Sequence, residues 1–488
     1  MMNNNKESYH DSELSLFWQK ATVQVYTIDK QASRLMYAWL FFAVSSLIFA
    51  GIFAFLLAMS RTPFIQDILQ ARDYLYTALV THVILSVVIW FLSFMGILWI
   101  LAGSAFLKGA VLSVSLYWIG FGISSTGTIL IIISGLKALG KPILANYIPV
   151  LTHPIFYTGL VLFASGIFLT ILTTLIRILK NTKRLGKRYL FSPLTFAMAL
   201  SGLIVIIAIS CFSLAYYFLP NTLDAHIYFE RLFWGGGHIL QFSNTFGMIC
   251  AWMILAQSTL QKSPMPNRPI VLFLLISFVF TVPAPFFYLF YDVLSRDLQD
   301  WFTRLMQFGT GPIAGVFAVS ILISILVLRG SEKKAVLQQH LPWGNPGFSA
   351  LIFSIILFST GGIIAFMIRG IDVKIPSHYH GVIGGVTLSF MGLSYYILPL
   401  LNRKMPESKI VKVQPYLYGI GQMLFIAGMF WAGTHGVPRK TYGHSQKLDD
   451  FAKLAGMSIM GLGGLIAISG GVLYVWNILI PLLKIREK

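Results

Sequence analysis

Twelve apolar stretches, most of them about 20 residues or longer, recur from one end of this 488-residue chain to the other. That feature leaves few folds open. In hydrocarbon every backbone N–H and C=O must find its partner inside the protein, and a single apolar segment achieves this as an α-helix. The stretches fall at 35–59, 75–101, 111–136, 155–179, 194–219, 233–256, 269–291, 311–329, 348–368, 377–401, 414–436 and 453–483. They predict an all-α, polytopic membrane protein built as a single bundle of about twelve transmembrane helices. No soluble-domain-sized loop divides them. The longest connections, 137–154, 292–310 and 329–347, carry Gly or Pro and a few charges. The expected organisation is a polar tail over 1–34, one twelve-helix unit over 35–483 and a basic tail over 484–488. The opening residues mix Asn3, Asn4, Asn5, Lys6 and Glu7. They lack the order of a cleaved signal peptide, so the first stretch is expected to direct insertion itself.

Charge supports the same reading. Only 11% of residues are charged, against about 25% in a soluble domain. A net charge of +19 would suggest nucleic acid in a soluble protein. Here the basic residues concentrate in loops on the side of the amino terminus. That is the positive-inside pattern of an inner (plasma) bacterial membrane protein with both termini cytoplasmic. The densest run, Arg177 to Arg188, reads as a solvated loop beside anionic lipid. Nucleic acid is therefore not an expected partner; the lipid bilayer is. Cys211 and Cys250 fall mid-stretch and read as small apolar residues, with no disulfide or zinc signal.

Of ten histidines, His10 and His340 fall on the inner side in this topology, and the other eight on the outer side or in the outer part of a stretch. His82, His238, His378 and His380 all lie within roughly the first 11 Å of stretches that run inward. His378 and His380 are two residues apart, about 200° of rotation on a helix, so they point to opposite sides. They cannot easily share one metal, but each can hold a different one. Taken singly, such histidines are often hydrogen-bonded packing residues. Four at matched depth favour ligation, and neutral imidazole suits heme iron or copper. Zinc with carboxylates is disfavoured, because these stretches contain no Asp or Glu.

The set resembles subunit I of the heme–copper oxidase superfamily, which includes cytochrome c oxidases, quinol oxidases and nitric oxide reductases. The resemblance rests on the twelve stretches, His82 in the second, Phe233-Trp234-Gly235-Gly236-Gly237-His238 opening the sixth, His378-Tyr379-His380 opening the tenth, and Gly433-Thr434-His435-Gly436-Val437-Pro438-Arg439-Lys440-Thr441-Tyr442 after the eleventh. It implies two hemes. His82 and His380 would be the axial ligands of a low-spin heme, and His378 the single axial ligand of a high-spin heme. His238 would be a copper ligand, and Arg439 and Lys440 would meet heme propionates. Tyr379 reads as a packed core residue.

The chain also departs from that family. The family's adjacent His-His pair in the seventh helix is missing; Phe278 to Tyr288 holds no histidine. One imidazole alone is a poor site for a transition metal. His153, His226 and His435 are on the correct side, but nothing in the sequence brings them to His238. Phe242 stands where many oxidases carry a copper-linked tyrosine. The stretches Gly237–Gln241 and Gly309–Val316 offer no ionisable proton carrier, so proton pumping is expected to be absent. Two main readings follow. One is a respiratory oxidoreductase that takes electrons from a cytochrome c-type or quinol donor, acting through a separate subunit, and reduces O2 or NO. The other is a non-catalytic heme protein on the same scaffold, for electron transfer or gas sensing, without copper. A heme-free solute transporter is the third reading, disfavoured by spans without acids.

Overall fold

The computed structural model describes residues 29–65, 72–104, 114–330 and 341–484. Of the expected tails 1–34 and 484–488, residues 1–28 and 485–488 lie outside them, together with His10 and His340. Twelve helices among the described residues are long and apolar enough to cross a membrane. They are α1 (Lys30–Arg61), α2 (Tyr74–Ser104), α3 (Val114–Leu136), α4 (Pro154–Leu185), α5 (Pro193–Phe218), α6 (Ala225–Leu260), α7 (Asn267–Phe290), α8 (Arg296–Val327), α9 (Pro346–Phe366), α10 (Lys374–Leu400), α11 (Lys409–Thr434) and α12 (Phe451–Leu483). A two-stranded hairpin, β1 (Pro142–Ile143) and β2 (Val150–Leu151), lies in the connection between α3 and α4.

Two helices begin eight or more residues before their expected starts, and each has a local cause. α8 starts at Arg296, inside the segment read as a connection. Leu298, Phe302 and Leu305 recur at helical spacing and are buried, and Ser295 accepts the Leu298 N–H as the cap. Its charged opposite face hid this turn from a search for apolar runs. α6 starts at Ala225 because the Asp224 carboxylate accepts the N–H groups of His226 and Ile227. Glu230 therefore lies on a spanning helix, contrary to the expectation that no carboxylate would. It stands near the start of α6, at the histidine end of the bundle, where polar groups are tolerated. α7 is interrupted after Thr281, where Pro283 and Pro285 force a 3₁₀ turn over Ala284–Phe286. α2 is π-helical over Ile84–Ile89, beginning two residues after His82.

The most extensive pairings join consecutive helices, α11 with α12, α9 with α10, α3 with α4 and α5 with α6, and α12 returns to α1. Enclosure is uneven. In the most apolar window of each helix, 94% of residues are buried in α6, 89% in α10 and 83% in α2, against 28% in α7. The three most enclosed helices carry the four candidate histidines. Gly381 and Gly385 serve helix packing: a Cβ on Gly381 would lie 2.7 Å from the Gly361 Cα, and one on Gly385 would lie 2.8 Å from the Phe358 Cβ, both on α9. Cys211 and Cys250 are buried free thiols.

Candidate functional site

On α2, His82 Nδ1 lies 3.0 Å from the Ala50 carbonyl of α1. A carbonyl only accepts, so Nδ1 carries the hydrogen and Nε2 keeps a free lone pair. On α10, His378 repeats the arrangement, donating from Nδ1 to the Gly361 carbonyl at 2.8 Å. Such an outer bond sets tautomer and ring orientation for a metal ligand. His380 is held by rings instead. Phe425 meets it edge-on at 4.8 Å and Tyr379 lies beside it at 5.0 Å. His82 and Arg61 both lie within electrostatic range of it. All three imidazoles are only partly buried, although they stand on the most enclosed helices. Space is thus left beside the rings. Tyr379 is 37% exposed and is not the core residue expected, because it stands in the first turns of α10 with one side of its ring uncovered.

Cations gather around that space. Arg61 ends α1, with its Nε and Nη2 buried and without hydrogen-bond partners. Its guanidinium lies 5.8 Å over the Tyr442 ring. Arg61 and Arg439 both act electrostatically on Tyr379. Two buried guanidinium nitrogens without hydrogen-bond partners among the described residues fit a carboxylate that those residues do not supply. Arg61 was not among the residues singled out from the sequence; its place at the very end of an apolar helix was the available signal. Lys440 is differently placed. Its Nζ donates to the Leu144 carbonyl and to Asn146 Oδ1, at 3.4 Å for the latter, which ties it to the hairpin. Burial pulls its pKa down to about 8; Arg439 adds to the effect and Glu230 opposes it.

His238 on α6 has no free nitrogen. Nδ1 donates to the Trp234 carbonyl at 2.7 Å. Nε2 accepts the Tyr147 hydroxyl at 2.9 Å, with Thr303 Oγ1 at 3.5 Å. Burial and the nearby Glu230 carboxylate push the Tyr147 phenol up, so it keeps the proton it donates. The rings of Tyr147, Trp234 and Phe302 pack around the imidazole, which is 1% exposed. The three glycines of the motif make this possible. A Cβ on Gly237 would overlap the Tyr147 ring, one on Gly236 the Phe212 ring, and one on Gly235 the Tyr288 hydroxyl. Tyr147 itself has φ +66°, a left-handed conformation that is strained for an aromatic residue. Its neighbour Asn146 is pinned by Glu230, which accepts the backbone N–H at 2.7 Å and the side-chain amide at 2.6 Å.

These residues fit hemes and do not fit copper. His82 and His378 each present a lone pair in a half-open space, whereas the His238 lone pair is taken by Tyr147. Among the described residues no group of three His, Cys, Asp or Glu side chains could hold a metal ion. His153 accepts the Ile155 N–H at the cap of α4 and His435 lies on the Trp431 carbonyl; among the described residues neither groups with His238 into a metal site.

Comparison with known proteins agrees with the fold. Residues 34–467 match the family described as cytochrome c and quinol oxidase polypeptide I. The chain belongs to this family, the heme–copper oxidase subunit I family of respiratory oxidoreductases. Membership implies heme cofactors and a membrane location. Similar proteins include one of Rickettsia prowazekii (strain Madrid E), described as uncharacterized, 29% identical over 91% of this chain and 95% of that one. Cytochrome c oxidase subunit 1 of Thermus thermophilus is 26% identical over 53% of this chain and 49% of its own length. The cryo-EM structure of a heme–copper terminal oxidase dimer superposes with a TM-score of 0.74 at 18% identity, covering 94% of this chain and 85% of that one.

Proposed function

We propose that this protein is a two-heme membrane oxidoreductase without a copper centre. His82 and His380 would hold a low-spin heme and His378 a high-spin heme. When bound, these groups would supply electron transfer and, at the iron with an open position, reduction of a small gas, O2 or NO. The carrying observation is the contrast in imidazole nitrogens. Two pinned rings, His82 and His378, keep a lone pair in open space, and the third candidate ligand, His380, stands within range of His82.

The chain's own residues have defined tasks. Ala50 and Gly361 carbonyls orient the ligand rings. Arg61 and Arg439 supply positive charge for propionates, and Lys440 supports the hairpin beside them. Tyr147 closes the His238 side against a metal. Electrons would come from a cytochrome c-type or quinol donor subunit at the histidine end. Pumping is absent in this reading: Glu230, the carboxylate on α6, is tied to Asn146 at the outer end, where it cannot connect to the inner surface.

One observation favours a second reading, a non-catalytic electron-transfer or gas-sensing heme protein. Tyr147 occupies the lone pair that a copper ligand would need. A reduced-minus-oxidised spectrum with and without carbon monoxide, followed by O2 and NO consumption with a reductant, separates the two. Two hemes, a carbon monoxide shift and turnover support the enzyme. Two hemes and a shift without turnover support the sensor. A protein without heme bands refutes both.

A further inference from the structure

We propose that the groove between α1, α3 and the end of α10 seats the phosphate headgroup of an anionic phospholipid. It lies at the end of the bundle opposite the histidines. Arg34 and Arg61 are both on α1, and 27 residues of helix separate them by about 40 Å. The groove has a volume of about 470 Å3. Phe41, Trp118 and Phe121 line it, and Phe41 and Trp118 remain 37% and 40% exposed on the outer surface of the bundle, where acyl chains run.

Arg34 and Arg403 flank this apolar bed. The Arg403 guanidinium lies 5.4 Å over the Tyr37 ring and donates from Nη1 to the Lys484 carbonyl. Its Nε is buried without a partner. Tyr37 is held in turn by donating its hydroxyl to the Leu482 carbonyl at 2.9 Å. Among the described residues no carboxylate pairs with Arg34 or Arg403; the pairs of Lys374 with Asp372 and of Lys453 with Asp449 and Asp450 lie at the histidine end. Two guanidiniums at the rim of an apolar groove match a phosphate attached to acyl chains, since arginine presents a fork of donors to phosphate oxygens. A quinol is the rival occupant. Its oxidation releases protons, and among the described residues no histidine or carboxylate lines the groove to take them. This proposal is independent of the heme assignment.

The test is native mass spectrometry of the full-length protein titrated with phosphatidylglycerol or phosphatidylcholine. One phosphatidylglycerol is expected to stay bound under conditions that strip phosphatidylcholine. Arg34→Gln with Arg403→Gln is expected to weaken retention by about fivefold per arginine, with the heme spectrum unchanged. If the double variant fails to fold, Arg34→Gln alone, at an exposed position, should show the single step. Equal retention of both lipids, undiminished retention in the variants, or displacement of the lipid by a short-chain quinone analogue would overturn the proposal.

Discussion

On α2 and α10 the Nδ1 atoms of His82 and His378 are spent on carbonyls of neighbouring helices, and their Nε2 atoms face open space. On α6 His238 has the same tautomer, again set by a carbonyl, but its Nε2 accepts a tyrosine hydroxyl inside a dry cage of rings. One end of one bundle thus holds two kinds of histidine. The difference does not lie in the imidazole or its depth; it lies in whether a further element reaches the remaining lone pair. At His238 that element is the hairpin between α3 and α4.

The sharpest way to break this comparison is to remove each ring in turn. His82→Ala or His380→Ala is expected to abolish the low-spin heme signal. His378→Ala is expected to remove the carbon monoxide response and spare that signal. His238→Ala is expected to leave both. Loss of heme from the α6 variant would show that the two regions are not distinct. Metal analysis after growth in ample copper gives the next largest contrast, with iron expected at two per chain and copper far below one. Stoichiometric copper would mean that Tyr147 moves aside.

Smaller effects sharpen the picture. Gly237→Ala places a methyl group against the Tyr147 ring and should cost about 1–3 kcal/mol by overpacking. Tyr147→Phe removes the donor to His238 and should cost a similar ~1–3 kcal/mol. Thermal unfolding followed by heme absorbance reads both, and midpoints equal to that of the unaltered protein would show the hairpin to be loosely held. The smallest effect concerns Lys440, at about 8 against 10.5 for an ordinary lysine. Between those values the unfolded chain keeps a proton that the folded chain has released. Stability from this group therefore rises with pH across the window. Comparing unfolding midpoints of the unaltered protein and Lys440→Met near pH 7.5 and 9.5 should show a difference of order 1–3 kcal/mol. If Lys440 instead meets a propionate, its pKa is held up and the difference vanishes.

Much of the bundle was legible in the sequence, because an apolar run of membrane length has one outcome. The histidines of α2 and α10 were also legible, since depth and helical rotation follow from counting residues. The cap on His238 was not. Tyr147 lies 91 positions earlier, in a connection, at a backbone angle that no local pattern announces. Only the three adjacent glycines hint that something bulky must approach α6, and in sequence they read as part of a family motif. The amphipathic start of α8 escapes for a different reason: Asp297, Asp300 and Arg304 mask a buried stripe when hydropathy is averaged.

The π-helical segment Ile84–Ile89 carries a consequence for how α2 tolerates change. Its wide turn absorbs one residue more than an α-turn of the same rise, so the two halves of the helix keep independent rotational settings. Deleting a single position there would tighten the coil to an ordinary α-turn and leave both halves, and the His82 ring, near their present settings. Inserting one, with the wide turn already in use, would swing the upper half by about 100° and carry His82 away from Ala50 and His380. One residue fewer is thus harmless within this long greasy rod, whereas one more removes the ligand.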